Sequence, residues 1–392
     1  MEDIKDYYCS QKFWWLSVDL EKRETLSCCS SLPAKIDFTH LSINPGSLFN
    51  SPDIINERKL MLENKFVKSC SPTCWNAEEK GLLSRRLQMQ SQIRTHSKIL
   101  NDPETLGIIV GSDCNMTCSY CCKQYSSKWL QDLTNYGEYP VTSEDNRYQL
   151  TKKDKILSKL SQKQLSGSEF NKQILKEIQL LSEKQSLTTV DISGGETFLY
   201  LDLENLIKVL PKNLKVNIWT GLGVDPSRFN KELDKLSKHR DIHIVVSAEN
   251  IESFYEFNRY GNSWQRFLTN LEHLQLRKIE YSFNSTITNL TIFGLLDFEK
   301  FAAINKINYN CCTDPDFLNI SVLDQKTKDY IIDNLEHYSA QSQHIIKENI
   351  FNSPTPLQIK NFKNFIHTYV KRRNLDLQIF PTNFFNWIKN EH

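Results

Sequence analysis

Three cysteines within a single eight-residue span constrain this 392-residue chain more than any other feature. Cys114, Cys118 and Cys121 stand in Gly111-Ser112-Asp113-Cys114-Asn115-Met116-Thr117-Cys118-Ser119-Tyr120-Cys121, after the apolar run Leu106–Val110 and before a helical stretch. The C-x3-C-x2-C spacing places three thiolates on one tight loop, close enough to ligate three irons of a cubane [4Fe–4S] cluster. The fourth iron is then left without a protein ligand, and an open position on a metal is where a substrate or cofactor binds. A structural zinc site is the alternative. Zinc takes four ligands and favours paired C-x2-C knuckles, and Cys122 would complete such a set only by straining adjacent residues.

The chain carries eleven cysteines in groups: Cys9, Cys28, Cys29, Cys70 and Cys74, then the loop with Cys122, then Cys311 and Cys312. The N-terminus, Met1 to Asp6, is acidic and lacks a basic-then-apolar secretion pattern. The expected localisation is therefore cytoplasmic, where clustered thiols read as metal ligands before they read as bridges. Hydrophobic residues at 39% and charged residues at 24% fit a globular protein, and no apolar run reaches membrane-spanning length. The 48 basic and 47 acidic residues nearly cancel, so electrostatics does not call for a nucleic-acid partner, although a local basic patch would be averaged away.

Patterning along the chain divides it into segments. Phe13–Leu20 reads as a strand, and the turn at Glu21–Glu24 leads toward Cys28-Cys29 as a hairpin. A helix is expected from about Ile54 to Leu62, and a long polar helix from about Asn76 to Ile99 with Gly81 near its start. From Leu106 onward short apolar runs alternate with helical stretches: Leu106–Val110, Thr189–Ser193, Lys215–Trp219, Ile242–Ser247, Tyr281–Ile287 and Ile307–Asn310. Such alternation predicts a parallel sheet with crossover helices. Six strands are too few for a closed eight-stranded barrel, so the expected fold is α/β, a partial (β/α)6 TIM-like barrel with its working face at the C-terminal strand ends. A small N-terminal cysteine-rich α+β domain precedes it, surface helices and loops fill Lys128–Thr188, and a helical C-terminal extension runs from Asp324, interrupted at Pro354, Pro356 and Pro381.

A second motif, Asp191-Ile192-Ser193-Gly194-Gly195-Glu196-Thr197-Phe198, ends the strand after the cysteine loop. Its glycines allow close backbone approach to a ligand, and its acid suits an ammonium group. Together the C-x3-C-x2-C loop, with the aromatic Tyr120 before its last cysteine, and Gly194-Gly195-Glu196 resemble the radical S-adenosylmethionine (SAM) superfamily, which usually has Pro where this chain has Thr197. The resemblance implies that SAM chelates the open iron, that an electron from the cluster breaks a carbon–sulfur bond, and that a 5′-deoxyadenosyl radical abstracts hydrogen from substrate. It makes Cys114, Cys118 and Cys121 the catalytic ligands and Glu196 the partner of the SAM ammonium. Thr220, Ser247 and Glu249, at the next strand ends, become candidate SAM contacts, with ordinary strand-end capping as the alternative. Asn258-Arg259-Tyr260-Gly261, with Asn284 and Thr286, also resembles positions near SAM and substrate. Arg259 is a candidate carboxylate clamp, with a solvated surface arginine as the alternative.

The segments around Cys9, Cys28-Cys29 and Cys74–Arg86 resemble a twitch/SPASM-type auxiliary domain placed before the core. That likeness implies a second [4Fe–4S] cluster drawn from Cys9, Cys28, Cys29, Cys70 and Cys74, although the family more often has C-x2-C than the C-x3-C of Cys70 and Cys74. Either of Cys28 and Cys29 serves as ligand on this reading, and structural zinc or buried free thiols are the alternatives. Cys311 and Cys312 read as packing residues. The implied domains are 1–100 auxiliary, 101–310 radical SAM core and 311–392 helical extension. The implied activity is radical SAM chemistry on a peptide or protein, with an electron donor such as flavodoxin or ferredoxin. Modification of a nucleoside, nucleic acid or sugar is the alternative enzyme, and a non-catalytic metal-binding module the alternative of another class.

Overall fold

The computed structural model describes residues 7–79, 84–87, 102–142, 146–152, 154, 169–302 and 306–389. The chain forms two compact units, one from residues 1–111, 162–219 and 232–243, the other from 112–161, 220–231 and 244–392.

The first unit is built on a sheet of β1 (Trp15–Asp19), β2 (Glu24–Leu26), β3 (Ala34–Lys35), β4 (Thr105–Ile109), β5 (Thr189–Ser193) and β6 (Lys215–Thr220), in the order β3-β2-β1-β4-β5-β6. The expected hairpin is β1–β2. It is not set apart from the core sheet, because β1 pairs parallel to β4 from Trp15↔Thr105 to Asp19↔Ile109. Alternation explains the match. Leu16, Val18, Leu106, Ile108, Val190, Ile192, Val216 and Ile218 are all but fully buried and share one face. Burying each contributes about 1.5–3 kcal/mol. Ser17, Gly107, Asp191 and Asn217 lie in register on the other face. Gly107 is required there, since a Cβ would come within 2.8 Å of Ser17 Oγ.

The second unit holds three parallel strands, β7 (His243–Ser247), β8 (Tyr281–Ile287) and β9 (Ile307–Cys311). Strands β4 to β9 are the six runs expected from the sequence. The fold is α/β with a parallel sheet left open at its edges, as a partial (β/α)6 barrel requires. The expected helical tail comprises Gln325–Asp333, Ala340–Ile350, Pro356–Arg373 and Thr382–Lys389. The helix expected from Ile54 begins two residues earlier, at Pro52, whose ring suits the first helical position. Of the helix expected over Asn76–Ile99, Asn76–Glu79 and 85–87 are helical, Ser84 is not, and the remainder, Gly81 included, lies outside the described residues. The same holds for much of the Lys128–Thr188 stretch, where helices Ser127–Tyr136 and Glu169–Ser182 are described. Among the described residues no helix is long and apolar enough to cross a membrane.

Candidate active site

The cysteine loop sits in the second unit and is fastened along its backbone. The Thr117 N–H donates to the Tyr260 carbonyl at 2.7 Å, Ser119 N–H to the Asn258 carbonyl at 2.8 Å, and Cys121 N–H to the Cys118 carbonyl at 3.0 Å. Ser126 Oγ donates to the Met116 carbonyl at 2.7 Å and Trp129 Nε1 to the Cys118 carbonyl at 3.0 Å. Ser126 also caps the helix that follows, accepting from the Trp129 N–H. Cys118 is buried, while Cys114 and Cys121 are half-buried. Burial pushes the Cys121 thiol well above its ordinary value, and the neighbouring charges of Cys122, Cys118 and Cys114 push it further. Cys121 thus lies within reach of the charges of Cys114 and Cys118, the circumstance a bound cation or cluster relieves by taking thiolates as ligands.

The segment Asn258-Arg259-Tyr260-Gly261 holds this loop. Besides the two carbonyls already named, Ser119 Oγ donates to Asn258 Oδ1 at 2.9 Å. Gly261 has φ +104°, and a Cβ there would stand 2.4 Å from the Asn115 carbonyl oxygen, so only glycine permits the approach. Gly221 and Gly223 make similar room for the Met116 side chain.

Arg259 is not a surface arginine; it is 3% exposed. Its Nε donates to Glu249 Oε2 at 2.9 Å and its Nη2 to Glu249 Oε1 at 2.8 Å and to Tyr120 Oη at 2.5 Å. Tyr120 Oη in turn donates to Glu249 Oε1 at 2.6 Å. Burial opposes the Arg259 charge, but Glu249, Tyr120 and Cys118 more than restore it and raise its affinity for the proton. Three residues singled out separately in the sequence are therefore one buried network, and the carboxylate clamped by Arg259 is Glu249. Thr220 Oγ1 accepts from the Leu222 N–H at 2.9 Å, the strand-end turn weighed above, and Ser247 ends β7 half-buried opposite Asn284.

Gly194-Gly195-Glu196 belongs to the first unit. The Gly195 N–H donates to the Gly111 carbonyl at 2.8 Å, and a Cβ on Gly194 would lie 2.8 Å from that same oxygen. Glu196, 1% exposed, accepts from the Phe198 N–H and caps the turn Thr197–Leu199. Thr197 explains its departure from the usual proline: its hydroxyl donates to the Trp219 carbonyl at 2.7 Å, tying β5 to the end of β6.

The sequence profile described as Radical SAM superfamily matches residues 108–303, half of the chain. The chain belongs to the radical SAM superfamily. It is accordingly an enzyme, of a family that implies a [4Fe–4S] cluster and SAM. Similar solved structures include native anSMEcpe with bound AdoMet, at 17% identity over 60% of this chain and 61% of that one, TM-score 0.38. Streptococcus suis SuiB matches at 18% identity over 81% and 67%, TM-score 0.35. SuiB bound to precursor peptide SuiA matches at 15% identity over 92% and 75%, TM-score 0.34. The chain spans about three fifths of the length of the anSMEcpe structures it matches. No curated protein sequence matches it.

One part of this radical SAM site was not legible in the motifs. From the helix Pro356–Arg373, Tyr369 Oη donates to the Thr117 carbonyl at 2.8 Å and Arg373 Nε to Thr117 Oγ1 at 3.0 Å. Arg373 lies 4.0 Å over the Tyr369 ring and 4.8 Å over that of Trp129. Trp129, Tyr139, Tyr148, Phe365 and Tyr369 form one aromatic cluster beneath the loop. The available signal was the spacing of Phe362, Phe365, Ile366, Tyr369 and Arg373, which marks a buried helix face without saying what it covers.

The five N-terminal cysteines all lie in the first unit. Cys9 and Cys70 share an apolar cluster with Phe13, Met61, Val67 and Trp75. Burial raises the Cys9 thiol to about 11, with Cys70 and Cys74 adding to the rise. Cys74 in turn responds to Cys29, and Cys28 to Cys29 and Cys9. The hydrogen bond from Cys28, aided by the Arg85 charge, lowers Cys29. Lys12, fully buried, places its ammonium 2.5 Å from Glu57 Oε2, and its charge offsets part of the rise that burial imposes on Cys9 and Cys70. Among the described residues no three His, Cys, Asp or Glu side chains are arranged to grip a metal ion. Cys121 in the loop, and Cys9, Cys28 and Cys74 in the N-terminal set, respond to the charge of neighbouring thiols. Cys122 and Cys312 are buried, and Cys311 Sγ accepts from Asn319 Nδ2 at 3.4 Å, in keeping with packing roles.

Proposed function

We propose that this enzyme reductively cleaves SAM at a [4Fe–4S] cluster held by Cys114, Cys118 and Cys121, and that the resulting radical takes a hydrogen atom from a peptide or protein. The observation that carries the reading is the loop itself: Cys114, Cys118 and Cys121, the last within reach of the other two's charge, on a backbone fastened by Asn258, Tyr260, Ser126, Trp129 and Tyr369. The donor set suits the group, since thiolates are the ligands of iron–sulfur clusters. When bound, the cluster supplies one electron to SAM, releasing a 5′-deoxyadenosyl radical. The chain's own residues bind and orient: buried Glu196 suits the SAM ammonium, and Thr220 and Ser247 offer hydroxyls at strand ends.

The five N-terminal thiols, with Lys12 as buried countercharge, support a second cluster in residues 1–100, ahead of a core at 101–310 and an extension at 311–392. Family members with such domains supply the reason for favouring a peptide or protein substrate. Reducing equivalents come on this reading from a flavodoxin- or ferredoxin-type donor in the cytoplasm.

The test is anaerobic. Wild type and a Cys114/Cys118/Cys121→Ala variant are reconstituted, reduced with dithionite and given SAM, and 5′-deoxyadenosine and iron are assayed. Product from the wild type alone, with about four irons lost in the variant, is expected. An iron-loaded wild type that retains all its SAM through reduction, with and without added peptide, refutes the reading.

A further inference from the structure

Arg259 touches more than its carboxylate partner. While Nε and Nη2 close on Glu249, the remaining nitrogen, Nη1, donates to Cys118 Sγ at 3.8 Å. All three side chains are nearly sealed from water, at 3% exposure for Arg259, 1% for Glu249 and 7% for Cys118. A charge beside sulfur in such surroundings acts far more strongly than it would in water. Hydrogen bonds to sulfur and net local charge are also among the factors that set iron–sulfur reduction potentials. Arginine suits the arrangement because its planar fork addresses a carboxylate along one edge while another N–H points elsewhere. The edge that would take a free carboxylate is occupied by Glu249, and Tyr120 Oη completes the lock from the loop itself.

We infer that Arg259 is a positioning residue for the cluster ligand Cys118, raising the reduction potential of the loop cluster through its Nη1 donor, while Glu249 aims the guanidinium and offsets part of its charge. This rests on the function proposed above. It assigns opposite effects to two residues in direct contact. Removing Arg259 takes positive charge and a hydrogen bond away from the sulfur and lowers the potential. Removing the charge of Glu249 leaves the guanidinium uncompensated and raises it.

The experiment is an anaerobic redox titration of the reconstituted full-length protein, followed by electron paramagnetic resonance with and without SAM. The signal that changes on adding SAM belongs to the loop cluster. At the potential that half-reduces the wild type, Arg259→Gln should show a reduced-to-oxidised ratio about tenfold lower, a shift of ~59 mV for a one-electron couple. Glu249→Gln should shift the other way at unchanged iron content. Arg259→Lys keeps the charge but loses the fork, and its potential should lie between those of wild type and Arg259→Gln. Shifts of the same sign in Arg259→Gln and Glu249→Gln, or a wild-type potential in Arg259→Lys or Arg259→Gln with the SAM-sensitive signal intact, overturn the inference alone. Absence of any SAM-sensitive signal in the iron-loaded wild type overturns both the inference and the reading beneath it.

Discussion

Gly261 and Thr197 show how single positions shape this site. At Gly261 the backbone takes φ +104° directly against the Asn115 carbonyl, so Gly261→Ala combines an unfavourable backbone conformation with a contact that nothing can relieve except movement of the cysteine loop. The expected cost is about 1–3 kcal/mol, read as a lower thermal midpoint, together with reduced iron retention after reconstitution. Thr197 is a milder case. Thr197→Val preserves shape but leaves the Trp219 carbonyl without its donor, for a loss of about 1 kcal/mol in a denaturant titration. Each fixes backbone, Gly261 against the cysteine loop and Thr197 between the ends of β5 and β6.

Among the elements, the helix Pro356–Arg373 carries consequence beyond its place near the end of the chain. Its start is well defined, with Thr355 and Gln358 forming a reciprocal capping box ahead of the Pro356 turn. Its far end presents Tyr369 and Arg373 to Thr117, one residue before Cys118. Tyr369→Phe should cost about 1–2 kcal/mol and quicken iron loss to a chelator, while leaving the far-ultraviolet circular dichroism unchanged. The helix Pro52–Leu62 has a parallel task in the first unit, where Glu57 meets Lys12. Burial works against the Glu57 carboxylate, but the Lys12 charge and donors from Lys12, Ser69 and Ser27 prevail and hold it below its ordinary value. A depressed carboxyl stabilises the fold fully above its unfolded-state value and loses that contribution as pH falls through the folded value. The stability gap between wild type and Glu57→Gln should therefore be constant near neutrality and close below pH ~4, as followed by tryptophan fluorescence during denaturant titration.

Across the whole molecule the thiols fall to different compact units, the five N-terminal cysteines to one and those of the loop to the other. Replacing Cys9, Cys28, Cys29, Cys70 and Cys74 by alanine should lower the iron of the reconstituted enzyme from about eight to about four per chain and leave the SAM-sensitive signal in place. Iron unchanged at about four would mean that the N-terminal thiols hold no cluster.

The amino-acid sequence by itself determined the family, the cysteine loop, the Gly-Gly-Glu turn and the six core strands. Each depends on short-range information: ligand spacing within eight residues, glycine where backbone must pass closely, and alternation with the period of a strand. Only the tertiary structure decided what those parts touch. Tyr120 is distant in the chain from Glu249 and Arg259, and the three were read as independent contacts, yet they meet in one buried hydrogen-bonded network. The N-terminal hairpin looked self-contained because cross-strand register is not written locally, and it became part of the sheet once β1 found β4. Likewise the apolar face of the Tyr369 helix was legible, but not the loop beneath it. A helix must bury its stripe somewhere, and which surface receives it is set by the packing of the whole unit.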